Sequence, residues 1–248
     1  MIEDGLQVLR KELSVSQIAN LIEKTAKWVD VETFAYLPVW YPEDARRNLM
    51  YKANWTEPLY NTNRTTGERV HKRTGNSTAN RALSNALGVT PQNRPNWTCC
   101  HIWGLDDQSF KKTNVIVADR RFYSCVANMV LLPTPLKAFT DAMPEIKAMI
   151  RVAAYFYYGW SPDHPEIENI ESEMQRYEQS AYPASWPRKG SDGLPGVVAF
   201  NGDVKRFADR RIRRIQKDLK TAGEYYPREE VEAVLEFWGR RDLIPHQV

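Results

Sequence analysis

The sequence predicts an α+β fold, mainly α, with a central strand–strand–helix unit flanked by helical regions. Three observations carry this. Apolar residues recur at helical spacing toward both ends of the chain; two β-rich runs, Thr98 to Trp103 and Tyr123 to Leu132, lie together in the middle; and Thr134-Pro135 follows the second run as a cap and a first-turn proline. Two antiparallel strands and a helix are the economical reading of that order.

Taken in order, Ser14-Val15-Ser16-Gln17 has the form of a capping box, and Ile18, Leu21, Ile22 and Val29 follow at roughly helical spacing, which predicts a helix through Trp28. A second helix is expected over Glu43 to Lys52, after Pro38 and Pro42, and Asn54 to Asn76 reads as an Asn/Thr/Arg-rich loop. Asn76-Ser77 can cap a helix with Ala79, Ala82, Leu83, Ala86 and Leu87 on one face, ended by Gly88. Between the two middle runs Val115 to Val117 has the composition of a further short strand. A short helix to Thr140 is followed by a longer one, opened by Asp141 and Pro144 and reaching about Tyr158. The acidic stretch Asp163 to Glu178 suits a solvated helix, and the prolines and glycines from Ser180 to Gly202 mark a long loop. Two helices, Asp203 to Thr221 and Pro227 to Trp238, complete the chain. The expected division is 1–95, helical; 96–160, the central unit with its following helix; and 161–248, helical.

Composition sets the bounds. The chain has 248 residues and a formal net charge of +3, too little to announce a nucleic-acid partner by itself, so the location of charge matters more than its total. No stretch approaches the roughly 18 consecutive apolar residues of a membrane span, and Met1-Ile2-Glu3-Asp4 lacks a basic region followed by an apolar one. These features lead to the expectation of a soluble, cytoplasmic protein with no membrane partner. Three cysteines, Cys99, Cys100 and Cys125, are expected as reduced thiols.

The chemistry-bearing residues lie in the middle. His101 closes one short apolar strand, Asn128 opens the next, and the helix after Pro133 can aim its N-terminal amides at a phosphate. Hydrolysis of a phosphodiester needs a base for water, positive charge for the transition state and help for the leaving oxygen. Histidine suits the first task because its ordinary pKa is near neutrality. An asparagine or a backbone carbonyl across the hairpin can fix its ring. Each residue alone has an ordinary structural use, histidine in a core and asparagine in a turn; their ordered combination with the helix is what points to a site.

In Cys-His-Ile-Trp at 100–103 and Ala-Asn-Met-Val-Leu-Leu-Pro-Thr-Pro-Leu-Lys at 127–137 the chain resembles the HNH, or ββα-metal, nucleases. The resemblance covers about residues 97–145. It implies a DNA endonuclease of restriction type that leaves a 5′ phosphate, with His101 as general base and Asn128 as the asparagine that ties the hairpin. Cys100 stands where the family often has a metal-binding Asp or His, and Lys137 where it usually has a metal-binding His or Asn. A protonated ammonium has no lone pair for a cation. Either Asp141, one turn later with Glu145 behind it, takes a divalent ion, expected as Mg2+ because carboxylate oxygens suit hard cations, or Lys137 itself neutralises the phosphate. Pro133 and Leu136 occupy the places of a second cysteine pair, so a structural zinc ribbon is not expected.

Duplex DNA would meet three basic groups. Arg206, Arg210, Arg213, Lys217 and Lys220 recur on one side of the penultimate helix, opposite Val204, Phe207, Ala208, Ile212, Ile215 and Leu219. Arg64, Arg69, His71, Lys72, Arg73 and Arg81 cluster in and after the Asn/Thr-rich loop, the expected recognition element. Lys111, Lys112, Arg120 and Arg121 fall between the motif strands. A homodimer would suit cutting of both strands. Alternatives are a DNA-binding protein without chemistry, derived from a nuclease, and an RNA-directed nuclease toxin.

Overall fold

The computed structural model describes residues 2–104, 115–167, 179–190 and 193–245. Within them the chain is α+β and mainly helical. The helices are α1 (Gly5–Glu12), α2 (Val15–Thr25), α3 (Val31–Tyr36), α4 (Ser77–Ala86), α5 (Val115–Ala118), α6 (Arg120–Tyr123), α7 (Thr134–Ala142), α8 (Pro144–Tyr158), α9 (Gly202–Thr221) and α10 (Arg228–Phe237). The strands are β1 (Trp28–Val29), β2 (Tyr60–Thr62), β3 (Arg69–His71), β4 (Trp97–His101), β5 (Met129–Pro133) and β6 (Val197–Val198).

The organising element is the antiparallel pair β4–β5, in register from Trp97 opposite Pro133 to His101 opposite Met129. Because strand side chains alternate between faces, neighbouring residues enter different cores. Cys100, Val130 and Leu132 pack with Ile18, Ile22, Met149 and Ile150 of α2 and α8. Cys99, Met129 and Leu131 pack with Ala82 and Leu83 of α4, Ile215 of α9 and Leu235 of α10. The two strands thus form a thin layer between helices on both faces. Helix α7 follows β5 directly and contacts both strands.

Helix ends follow the local chemistry. Ser14 and Gln17 form the reciprocal capping box of α2, with Gln17 N donating to Ser14 Oγ at 3.2 Å and Ser14 N to Gln17 Oε1 at 2.8 Å. Gly88 adopts φ +70° just beyond α4, and Gly239 φ +67° beyond α10, conformations that cost a glycine least. Helices α7 and α8 divide as expected, and both carry a proline in the first turn.

Several expected elements differ. Helix α2 stops at Thr25, because Trp28 and Val29 leave the helix to pair in parallel with Val197 and Val198. Residues 43–52 are not helical: their amides serve distant carbonyls, Arg46 N to Val117 O at 2.9 Å, Arg47 N to Thr74 O at 2.9 Å and Met50 N to Lys72 O at 2.9 Å. Asn54 to Asn76 is not all loop, since β2 and β3 form a solvent-exposed hairpin whose turn is nucleated by Asn63 Oδ1 accepting from Thr65 N at 2.9 Å. Val115 to Val117 lies in a helix, and the run from Tyr123 becomes a strand only at Met129. There Asp119 accepts from Arg121 N at 2.8 Å and starts α6, and a 3-10 turn over Val126–Asn128 precedes β5. The expected acidic helix falls largely on residues 168–178, outside the described residues. No helix among the described residues is long and apolar enough to cross a membrane.

The stretch that leads into β6 is tied down at Gly196. Its carbonyl accepts from Trp28 N at 3.1 Å, its φ is +81°, and a Cβ there would stand 2.1 Å from Ala26 O. Gly193, φ +92°, has open space around it. Gly193→Ala should therefore cost only the backbone term of about 1–3 kcal/mol, and Gly196→Ala that term plus a clash with a backbone oxygen. Urea denaturation of the two variants should show the larger midpoint loss at Gly196, with the slope unchanged.

Candidate active site around His101

The candidate site is built by a backbone clamp. Beyond β4 the chain turns through Ile102 and Trp103, and Ile102 N donates to Asn128 O at 2.9 Å. The Asn128 side chain, fully buried, then makes three bonds: Oδ1 accepts from Trp103 N at 2.7 Å, and Nδ2 donates to Trp103 O at 3.0 Å and Phe122 O at 3.1 Å. One amide thus satisfies backbone groups of two segments that no strand ladder reaches.

The imidazole of His101 is held differently from the sequence expectation. Asn128 does not fix the ring; the Tyr123 carbonyl does, 2.9 Å from His101 Nε2, and the Tyr123 ring stacks beside it at 5.8 Å. A carbonyl only accepts, so Nε2 carries the hydrogen and Nδ1 keeps the lone pair in the neutral ring. Tyr123 is anchored in turn by its hydroxyl, which donates to Gly75 O at 2.5 Å. Asn128 acts one residue away, through Phe122 O. Gly104 closes over the ring: a Cβ there would lie 2.8 Å from His101 Cβ.

Burial dominates the electrostatics. His101 is 8% exposed, and desolvation pushes its pKa down to about 4; the Tyr123 carbonyl opposes this, while the charges of Lys147, Arg46 and Lys137 push the same way as burial. The ring is neutral at pH 7 and sits in a cationic field. Two of the surrounding cations are themselves buried on α8: Lys147 Nζ donates to His101 O at 2.6 Å, and Arg151 Nε to Ile102 O at 3.3 Å with its guanidinium 4.7 Å from the Trp103 ring centre. Arg46 is bonded to Asn76 Oδ1 at the start of α4. Sequence reading missed Arg46, Lys147 and Arg151. Lys147 and Arg151 are spaced at i, i+4 on an otherwise apolar helix, and that spacing was the available signal.

Lys137 and Asp141 form an i, i+4 ion pair on α7, and Glu145 is paired with Arg10 at 2.6 Å. Asp141 therefore has an ammonium as its neighbour, and among the described residues no three His, Cys, Asp or Glu side chains converge. The three cysteines are free and buried, and burial pushes their thiol pKa values up, so they remain protonated at neutral pH.

The expected DNA-facing residues divide by environment. On α9, Arg206, Arg210, Arg213 and Lys217 are exposed opposite the buried Val204, Ala208, Ile215 and Leu219, although Arg211 lies on the buried side with Glu43. Arg64 and Arg69 are exposed on the β2–β3 hairpin, with Arg69 over the Tyr60 ring at 3.8 Å; Lys72 and Arg73 follow it, and Arg73 donates to Arg47 O at 2.9 Å. Arg120 turns inward to the Glu43 carbonyl, and Arg121 folds onto Asp119 at 2.6 Å. Lys111 and Lys112 lie outside the described residues.

Comparison with known proteins returns no match: no family model, no curated protein and no solved structure.

The buried imidazole gives a pH signature. Between its ordinary pKa of 6.5 and about 4, His101 takes a proton in the unfolded chain but not in the folded one, so its contribution to stability falls as pH falls through that window. The difference amounts to on the order of 3 kcal/mol. Denaturation from pH 7 to 4 should show a steeper acid loss for the parent than for His101→Gln.

Proposed function

We propose that this chain is a DNA endonuclease of restriction type, hydrolysing phosphodiester bonds with His101 as general base and leaving a 5′ phosphate. The observation that carries the reading is the tie from His101 Nε2 to the Tyr123 carbonyl at 2.9 Å, which leaves Nδ1 with the lone pair a base needs. Around it stand the order β4, β5, α7, the order on which the resemblance to ββα-metal nucleases rests, and the cations Arg46, Lys137 and Lys147, which suit a bound phosphate. The exposed basic face of α9 and the hairpin arginines supply contacts for duplex backbone, each salt-sensitive and independent of sequence. Two copies of the chain would cut two strands.

A pKa of about 4 makes a weak base, and a phosphate beside the ring changes that. Negative charge favours the imidazolium, so substrate raises the pKa toward the operating range. A second reading, a DNA-binding chain without chemistry, draws on the 8% exposure of His101.

Supercoiled plasmid incubated with Mg2+, Mn2+, Ca2+ or EDTA separates these readings, with RNA digested in parallel. The parent should nick plasmid, and a folded His101→Ala variant should lose about 10²–10⁴-fold of that rate while still binding DNA. A parent that binds but never nicks leaves the binding reading; preferential loss of RNA indicates the toxin alternative. In the active enzyme the acid limb of kcat should lie at higher pH than that of kcat/KM, because only the former reports the substrate-bound ring.

A further inference from the structure

The β2–β3 hairpin belongs to neither core. Every residue from Tyr60 to His71 is exposed, on both faces, and among the described residues neither strand has a further strand along its outer edge. A two-stranded hairpin by itself is marginally stable in water. This one is braced at both ends. In the turn Asn63 Oδ1 accepts from Thr65 N at 2.9 Å; at the foot Lys72 N donates to Leu59 O at 2.8 Å, Met50 N to Lys72 O at 2.9 Å and Arg73 to Arg47 O at 2.9 Å.

Its two faces differ. The register pairs Tyr60 with His71 and Thr62 with Arg69, so these share one face, while Asn61 and Val70 share the other, which carries no charge within the strands. On the first face the Tyr60 and His71 rings lie 4.5 Å apart, and the Arg69 guanidinium sits 3.8 Å from the centre of the Tyr60 ring. The ring holds the guanidinium in place, and among the described residues no carboxylate or carbonyl accepts from its N–H groups. A donor fork fixed in this way loses little freedom when a partner with two acceptors arrives.

Shape and charge choose the partner. The strands of such a ribbon lie about 4.8 Å apart, and the major groove of B-DNA, about 12 Å wide, admits it; the minor groove, about 6 Å wide, would have to be opened. A-form RNA keeps its base edges in a deep, narrow groove that side chains do not reach. Arg64, Arg69, Lys72 and Arg73 against Glu68 make the ribbon and its foot cationic, which suits the phosphates on either side of a groove. In the major groove guanine presents O6 and N7, the acceptor pair that a guanidinium fork matches.

We infer that the β2–β3 ribbon lies in the major groove of duplex DNA with its Tyr60–Arg69 face against the base edges, and that Arg69 pairs with O6 and N7 of a guanine. The inference rests on the DNA-directed reading above, which gives the hairpin arginines backbone contacts only, and adds to it the recognition of a base. Beyond β3 the chain runs on to Gly75 and Asn76, whose bonds to the Tyr123 hydroxyl and to Arg46 tie the ribbon to the surroundings of His101. The guanine and the bond presented to His101 therefore keep a fixed offset.

The test is selection by the full chain from a randomised pool of duplex DNA in EDTA, read by sequencing. Fluorescence anisotropy then compares the enriched duplex, the same duplex with its guanine replaced, and the matching RNA duplex. The parent should enrich a motif with a fixed guanine and lose about tenfold in affinity when that guanine is replaced. Arg69→Ala and Arg69→Lys should each bind the two DNA duplexes alike, the latter with the parent's affinity for the replaced one because the charge is kept. Tyr60→Ala should narrow the preference and Tyr60→Phe retain it, since the ring and not the hydroxyl holds the guanidinium. Arg213→Glu on α9 should weaken every duplex alike. Binding by the parent without an enriched guanine, a preference that survives both Arg69 variants, or an equal effect of Arg69→Ala on the RNA duplex overturns the inference and leaves the nuclease reading standing. Absence of any DNA binding overturns both.

Discussion

The fold around His101 depends on one buried amide. Asn128 pairs with the backbone of Trp103 on one side and of Phe122 on the other. These segments leave the β4–β5 ladder and run into the interior, where unpaired peptide groups are expensive. An aliphatic side chain would fill the same space and leave three polar atoms without partners. The clamp therefore determines where the chain after β4 and the chain before β5 can lie, and with them the histidine and the carbonyl that orients it.

Around that clamp the protein tolerates unusual burial of charge. Lys147 and Arg151 are 7% and 2% exposed; Lys147 donates to the carbonyl of His101 at the end of β4 and Arg151 to that of Ile102 in the turn that follows. Arg211 and Glu43 form a buried pair on the other side of the layer. Such pairs contribute little net stability compared with apolar packing, but removing one partner strands the other. Their effect is positional: they hold turns and termini that have few ladder bonds. The same low-polarity surroundings keep the imidazole neutral and make the field of nearby cations strong.

The two polar arrangements are linked through the chain. The segment 43–47 carries Glu43 to Arg211 and Arg46 to Asn76, and the segment 74–76 carries Gly75 to the Tyr123 hydroxyl. A shift of either segment would be felt at both places, because each is pinned by long-range backbone bonds rather than by a helix of its own.

Residues close in sequence were enough to determine the helices with clear caps or terminal glycines, α2, α4, α8 and α9, since helical bonds and i, i+4 packing are local. They also determined the antiparallel pair, the helix behind it and the two-sided character of α9, although Arg211 on its buried side was hidden by its partner Glu43, far away in sequence. Only the tertiary structure decided that 43–52 is not helical, that 197–198 joins β1, and that a carbonyl of Tyr123 orients His101 while Asn128 supports the backbone behind it. The pairing of Lys137 with Asp141 was within reach of the i, i+4 rule, but its consequence for metal binding depended on which other donors stood nearby. The reason is common to these cases: extended backbone and buried polar groups take their partners from segments distant along the chain, and nothing in the local pattern states which segment that will be.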